Sequence, residues 1–220
     1  MDSKKQLIQK FRLYAVTDLK ETDQTVVDKI GSAYAGGADI VQLRSKCLSD
    51  AALLKLGRKA KAFAEKHVKL LFVNDRVDLA LAIGADGVHV GQNDLPVAEI
   101  RRLAKNSGRD ILVGKSTHNL EQALEAEAEG VDYIGVGPVY ATPTKQGKPP
   151  VGLELVRQVN REIKIPFVAI GGIDEYNVCQ VMDAGAIRIA VVRAIFASNE
   201  VEAAARKLSK IIREGSKQHV

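Results

Sequence analysis

The 220-residue chain is long enough for a full hydrophobic core. It is 46% hydrophobic, and no Pro/Gly/Ser-rich stretch divides it, so a single domain over 1–220 is expected. The formal net charge of +5 comes from lysines and arginines spread along helix-like segments, and aromatic residues make up only 5%, which argues against a nucleic-acid groove with stacking platforms. No apolar run has membrane-spanning length, Met1 to Lys5 lacks the apolar core of a secretory signal, and Cys47 and Cys179 lack metal-ligand spacing; a cytoplasmic protein with two buried or partly buried thiols and no membrane partner is expected.

In chain order, short apolar runs alternate with segments of helical spacing. Strand-like runs begin near Leu13, Asp39, Leu70, Gly87, Ile111, Tyr133, Phe167 and Ile187. Between the first two, Val26, Val27, Ile30 and Tyr34 share one helical face. Leu53, Leu56, Ala60 and Phe63 repeat the pattern after the second run, and Val201, Ala204, Ala205, Leu208, Ile211 and Ile212 repeat it at the carboxyl end. Glycines at Gly36-Gly37, Gly84, Gly130 and Gly185 mark helix ends before the next strand. Eight strands, eight intervening helices and no hairpin signal predict an α/β fold, a parallel eight-stranded (β/α)8 TIM barrel. A doubly wound open sheet is the alternative, but it needs a switch point and usually fewer strands.

The polar clusters fall just past the ends of these runs, so a parallel barrel would gather them at one mouth. Asp75 and Asp94 each follow a strand and could hold a hard cation such as Mg²⁺, or could simply cap the helices that follow. Gln42, Arg44 and Lys46 alternate. Inward cations there call for an anion, although Lys46 could equally leave the barrel and be solvated. Ser116 and Thr117 end the fifth run, without the Gly-x-Ser-x-Gly elbow of a serine nucleophile. Ala141 to Pro150, with Thr142, Thr144 and Lys145, is too polar and proline-rich for a regular element. It reads as a mobile loop suited to phosphate contacts and closure. Gly171-Gly172 and Val192-Arg193-Ala194 end the last two runs, and they read either as phosphate-binding backbone or as tight turns. His89, inside the fourth run, reads as a structural hydrogen-bonder; His118 sits at a strand–helix junction, and His67 and His219 read as surface residues.

Six motifs in order resemble the thiamine phosphate synthase family over nearly the whole chain. They are Gln42-x-Arg-x-Lys46, Asn74-Asp75-Arg76, Gly87-Val-His-Val-Gly-Gln-x-Asp94, Gly114-x-Ser116, Gly135-x-Gly-Pro-x-Tyr-x-Thr-x-Thr-Lys145 and Ile170-Gly-Gly-Ile173. The resemblance implies a Mg²⁺-assisted dissociative substitution. In it, 4-amino-2-methyl-5-hydroxymethylpyrimidine diphosphate and 4-methyl-5-(2-phosphoethyl)thiazole give thiamine phosphate and diphosphate. It further implies that Gln42, Arg44, Lys46, Asn74, Ser116 and Lys145 bind the pyrimidine diphosphate, with Arg44, Lys46, Ser116 and Lys145 as the catalytic groups. Asp75 and Asp94 would hold the metal, and Thr142, Thr144, Gly172, Val192 and Arg193 would hold the thiazole phosphate. Family members often carry serine where this chain has Arg193, which a backbone contact would survive. The rivals are a thiazole tautomerase-like relative, which typically lacks the full metal and diphosphate set, a non-catalytic phosphate-ligand binding barrel and a generic phosphosugar barrel enzyme.

Overall fold

The computed structural model describes residues 3–20, 23–143 and 149–216. Eight strands form one closed parallel barrel in chain order: β1 Leu13–Val16, β2 Ile40–Leu43, β3 Leu70–Asn74, β4 Gly87–Val90, β5 Leu112–Thr117, β6 Tyr133–Val136, β7 Phe167–Ile170 and β8 Ile189–Val191. Closure is made by β1 against β8, with Tyr14 opposite Ala190. The helices are α1 Ser3–Lys10, α2 Gln24–Ala35, α3 Asp50–Lys66, α4 Val77–Ile83, α5 Val97–Asn106, α6 Leu120–Ala128, α7 Gly152–Glu162, α8 Val178–Asp183, α9 Arg193–Phe196 and α10 Val201–Gly215. The barrel was expected, and the strand starts lie within two residues of their predicted places. Two helices were not foreseen: α1 and the one-turn α9.

Period-two alternation divides the core. Leu13, Ala15, Val41, Leu43, Leu71, Val73, Val113, Ile134, Val136 and Ile189 face outward and pack under the helices. The alternate residues Tyr14, Val16, Ile40, Leu70, Phe72, Leu112, Tyr133, Val168 and Ala190 fill the barrel interior, joined from below by Ile8 and Phe11 of the α1 segment. Phe11, Tyr14, Phe72 and Tyr133 form a ring cluster with centroids 5.6–6.1 Å apart in tilted and edge-on pairs. So α1 seals the base of the barrel. Its short, polar pattern gave no apolar stripe long enough to read.

A second regularity lies at the base. Gly37-Ala38-Asp39, Gly84-Ala85-Asp86 and Gly130-Val131-Asp132 each lead from a positive-φ glycine into an even-numbered strand. Each aspartate reaches back to the strand before its own. Asp39 accepts from Leu13 N at 3.2 Å, Asp86 from Leu71 N at 2.9 Å and Asp132 from Val113 N at 2.7 Å. Each also meets cations: Lys69 and Arg213 at Asp39, Lys61 at Asp86, and Arg101 at Asp132. These pairs satisfy strand-end N–H groups that the ladder leaves over.

Burial alone would raise the Asp39 carboxyl, but Lys69, the Arg12 backbone N–H and Arg213 outweigh it and hold it below the ordinary carboxylate range. A depressed carboxyl contributes stability above its unfolded pKa of about 4 and loses it as pH falls through the lower folded value. Asp39→Asn is therefore expected to cost about 3 kcal/mol at neutral pH. Denaturant titrations at a series of pH values should give a flatter acid limb for the variant than for the parent; an unchanged acid limb would rule out this anchor.

Both cysteines are exposed and free, not buried or partly buried as expected: Cys47 lies in the turn after β2 and Cys179 on the outer side of α8. His67 is half-buried rather than superficial, because it ends α3 and stacks on Tyr34 at 6.2 Å. His219 lies outside the described residues. Among the described residues, no helix is long and apolar enough to cross a membrane.

Candidate active site

The C-terminal ends of the strands open into a cavity of about 330 Å³, a size that suits small organic ligands. The inward-facing residues continue up from the sealed interior and turn polar at this level: Gln42 on β2, Asn74 on β3, His89 on β4 and Ser116 on β5. Opposite them stand apolar Val16, Val168 and Ile170, and the backbone of Gly171, Gly172 and Val192 to Ala194. The cavity thus has a polar wall on β2–β5 and a backbone wall on β7–β8.

Arg44 belongs to the polar wall. Thr17 Oγ1 accepts from the Arg44 backbone N–H at 2.9 Å, and the guanidinium pairs with Asp18. Lys46 does not follow it. The strand stops at Leu43, and Ser45 Oγ accepts from the N–H groups of Cys47 and Leu48, which turns the chain away. Lys46 is consequently exposed and does not line the cavity.

Asp75 and Asp94 sit together at the rim on the same side. Neither caps a helix: α4 has Arg76 at its N-cap and α5 has Pro96, both without a side-chain capping bond. Asp94 Oδ2 instead accepts from Gly91 N at 2.6 Å, which closes a tight turn after β4. Asp75 adopts the left-handed conformation at φ 59°, tolerable for aspartate, and its N–H donates to His89 O at 2.9 Å. Arg76 is held away by ion pairs to Asp50 and Asp78. Loss of hydration at the crowded rim and the neighbouring Asp94 carboxylate push the Asp75 carboxyl up to about 6, with Arg44 and Asn74 pulling the other way. Among the described residues, no group of three or more His, Cys, Asp or Glu side chains could hold a metal. Two crowded carboxylates do suit a hard cation whose other ligands are water and substrate oxygens.

On the backbone wall, Gly171 and Gly172 have φ of 107° and 65°, which side chains rarely adopt. A Cβ at Gly171 would also lie 2.5 Å from Pro138 Cα. The one-turn helix α9 starts at Arg193, so the N–H groups of Arg193 and Ala194, beside the cavity, have no acceptor within the helix. Thr142 lines the cavity from the loop after β6. That loop is pinned at its base by Val151 N to Pro138 O at 2.7 Å. Thr144 and Lys145 lie outside the described residues.

A family model described as thiamine monophosphate synthase matches residues 13–195, the whole span from β1 to α9. The chain belongs to this family. The thiamine-phosphate synthase of Shouchella clausii is 46% identical over 208 residues, covering 94% of this chain and 98% of that one. The counterpart in Halalkalibacterium halodurans is 44% identical over 206 residues, 93% and 96% of the two chains. A solved structure, the thiamine phosphate pyrophosphorylase from Pyrococcus furiosus, superposes with a TM-score of 0.85 at 37% identity over 95% of this chain and 98% of that one.

Of the residues that the resemblance to thiamine phosphate synthases singled out, the cavity gathers Gln42, Arg44, Asn74, Ser116, Thr142, Gly172, Val192 and Arg193. Asp75 and Asp94 stand at its rim. Among the lining residues outside that set are Tyr14, which in the sequence is only part of an apolar run, and His89, which the sequence marks as a structural hydrogen-bonder without naming its partners. The signal for both was the strand alternation, which places them on the inward face with Gln42 and Ser116.

Proposed function

We propose that this cavity carries out the family reaction, thiamine phosphate synthesis, with the diphosphate substrate on the β2–β5 wall and the singly phosphorylated thiazole on the β7–β8 wall. The observation that carries this is the division of the cavity: the side chains of Gln42, Arg44, Asn74 and Ser116 lie on one wall, and apolar Val168 and Ile170 with the glycine-rich turn Gly171-Gly172 and the start of α9 lie on the other. The C–O bond joining the pyrimidine methylene to the diphosphate breaks with its electron pair leaving on the diphosphate, helped by electron release from the 4-amino group. The thiazole nitrogen lone pair then forms the new C–N bond, and no proton needs to be removed. This requires no protein nucleophile.

Arg44 would clamp the departing diphosphate, since a guanidinium pairs with phosphate oxygens by parallel hydrogen bonds. Gln42, Asn74 and Ser116 would orient the pyrimidine. Asp75 and Asp94 would hold Mg²⁺, which when bound neutralises charge on the diphosphate. Gly172, Val192 and Arg193 would receive the thiazole phosphate through their backbones, with Thr142 and Thr144 added from the loop. Lys145, with Lys46 further out, would add positive charge around the leaving group. The loop would keep water from the electron-poor methylene during the step.

The direct test is incubation of the purified protein with both substrates and Mg²⁺, followed by detection of thiamine phosphate and diphosphate in equal amounts. Binding of both substrates without product would point to a non-catalytic barrel. Isomerisation of a thiazole carboxylate phosphate without condensation would point to a tautomerase.

A further inference from the structure

An unbroken line of hydrogen bonds crosses the barrel beneath the cavity. Gln42 Nε2 donates to Tyr14 Oη at 2.6 Å, and the Tyr14 and Tyr133 hydroxyls are 2.9 Å apart. Tyr133 Oη lies 2.8 Å from His89 Nδ1, and His89 Nε2 lies 2.9 Å from Ser116 Oγ. The line therefore starts and ends on cavity residues, and its middle members come from β1, β6 and β4.

Two glycines make room for it. A Cβ at Gly114 would lie 2.2 Å from Cε1 and Cζ of Tyr133, and one at Gly135 would lie 3.2 Å from His89 Cε1. The glycine of Gly114-x-Ser116 is thus explained by a tyrosine on the neighbouring strand. Gln92 Nε2 donates to Ser116 O at 2.6 Å and fixes the backbone at that end.

The line has one direction. An amide nitrogen only donates, so Tyr14 accepts from Gln42 and gives its own proton to Tyr133. Burial holds both phenols protonated, well above the ordinary range. Tyr133 is completely buried, and a buried hydroxyl proton without an acceptor costs about 1–3 kcal/mol, so that proton goes to His89 Nδ1. A neutral imidazole that accepts at Nδ1 carries its proton on Nε2 and donates it to Ser116. The Ser116 hydroxyl proton is then left over for the cavity.

We propose that Tyr14, Tyr133 and His89 are positioning residues that fix polarity. They hold Ser116 as a hydrogen-bond donor and leave the Gln42 amide oxygen as an acceptor, with His89 accepting at Nδ1 and donating from Nε2. The partner of Ser116 is a lone-pair-bearing atom of the substrate on the β2–β5 wall. That partner rests on the function proposed above, whereas the polarity of the line belongs to the ligand-free protein alone.

The test begins with ¹⁵N NMR of histidine-labelled, ligand-free protein, with the His89 signals assigned by their loss in His89→Gln. The expected result is a pyridine-type Nδ1 and a pyrrole-type Nε2. A pyrrole-type Nδ1 would reverse the line and overturn the proposal. Tyr133→Phe keeps the ring and removes the hydroxyl, and is expected to mix the two tautomers and lower kcat about tenfold, with the KM for the thiazole phosphate unchanged. In a Ser116→Ala background the same change is expected to cost nothing further; additive losses would show that Tyr133 acts on packing alone. Should Tyr133→Phe fail to fold, the tautomer of the parent decides the matter. A parent with the expected tautomer but no condensation activity would refute the proposed function and leave the polarity intact.

Discussion

Replacing Asp75 or Asp94 by asparagine is expected to lower diphosphate release about 10²–10³-fold at limiting Mg²⁺, because a developing charge loses its preorganised countercharge. The same change at Asp75 should stabilise the metal-free barrel. Its carboxyl is raised to about 6 in the folded chain, so the metal-free parent is most stable, as far as this group is concerned, below the unfolded pKa and loses that contribution as pH rises to about 6. Because Asp75 is exposed by area at the rim, screening reduces the gain in Asp75→Asn at neutral pH to about 1 kcal/mol. Mg²⁺ should bind with release of a proton, and its affinity should climb as pH passes through about 6. Isothermal titration with Mg²⁺ at several pH values, alongside thermal melts with and without the ion, measures both effects. Variants that turn over like the parent at limiting Mg²⁺ would remove these carboxylates from the metal site, and an Asp75→Asn melt with no metal-free gain would overturn the raised Asp75 carboxyl.

Arg44→Ala is expected to be nearly as damaging to turnover, with a loss of about 10²–10³-fold in kcat/KM, and Arg44→Lys should recover little of it. A point charge on a flexible stem does not reproduce two parallel donors. The cost to folding should be small. Its ion-pair partner Asp18 is 45% exposed, and such a pair is worth about 1 kcal/mol at most. The two predictions are linked, because Arg44 lowers the Asp75 carboxyl. Without the guanidinium, the pH at which Mg²⁺ begins to bind should move upward. Steady-state kinetics over a Mg²⁺ series, with a melt of each variant, separates the outcomes. A large drop in melting temperature with activity retained per folded molecule would make Arg44 a structural residue.

The barrel was legible because its strands are buried on both faces and read as unbroken apolar runs, and because glycines mark the helix ends. The aspartate pair was legible as two carboxylates after neighbouring strands at one mouth, but the sequence left helix capping as an equal reading. Their proximity depends on the left-handed turn at Asp75 and the tight turn at Gly91–Asp94, and neither is visible as a pattern. Alternation misled at Lys46, since it holds only while the strand lasts and the Ser45 side chain ends it there. The line from Gln42 to Ser116 was hidden for a different reason. Its members are scattered over five strands, and only closure of the barrel brings Tyr14 and Tyr133, 119 residues apart, into hydrogen-bond contact.

The helix that seals the base has a practical corollary. Residues 3–10 enter from below, and the end of α10 also lies low, where Arg213 meets Asp39 at the foot of β2. Both described ends of the chain therefore leave from the face opposite the cavity. A surface linker joined at Ser3 or Ser216 would start beneath the barrel, on the side away from the mouth.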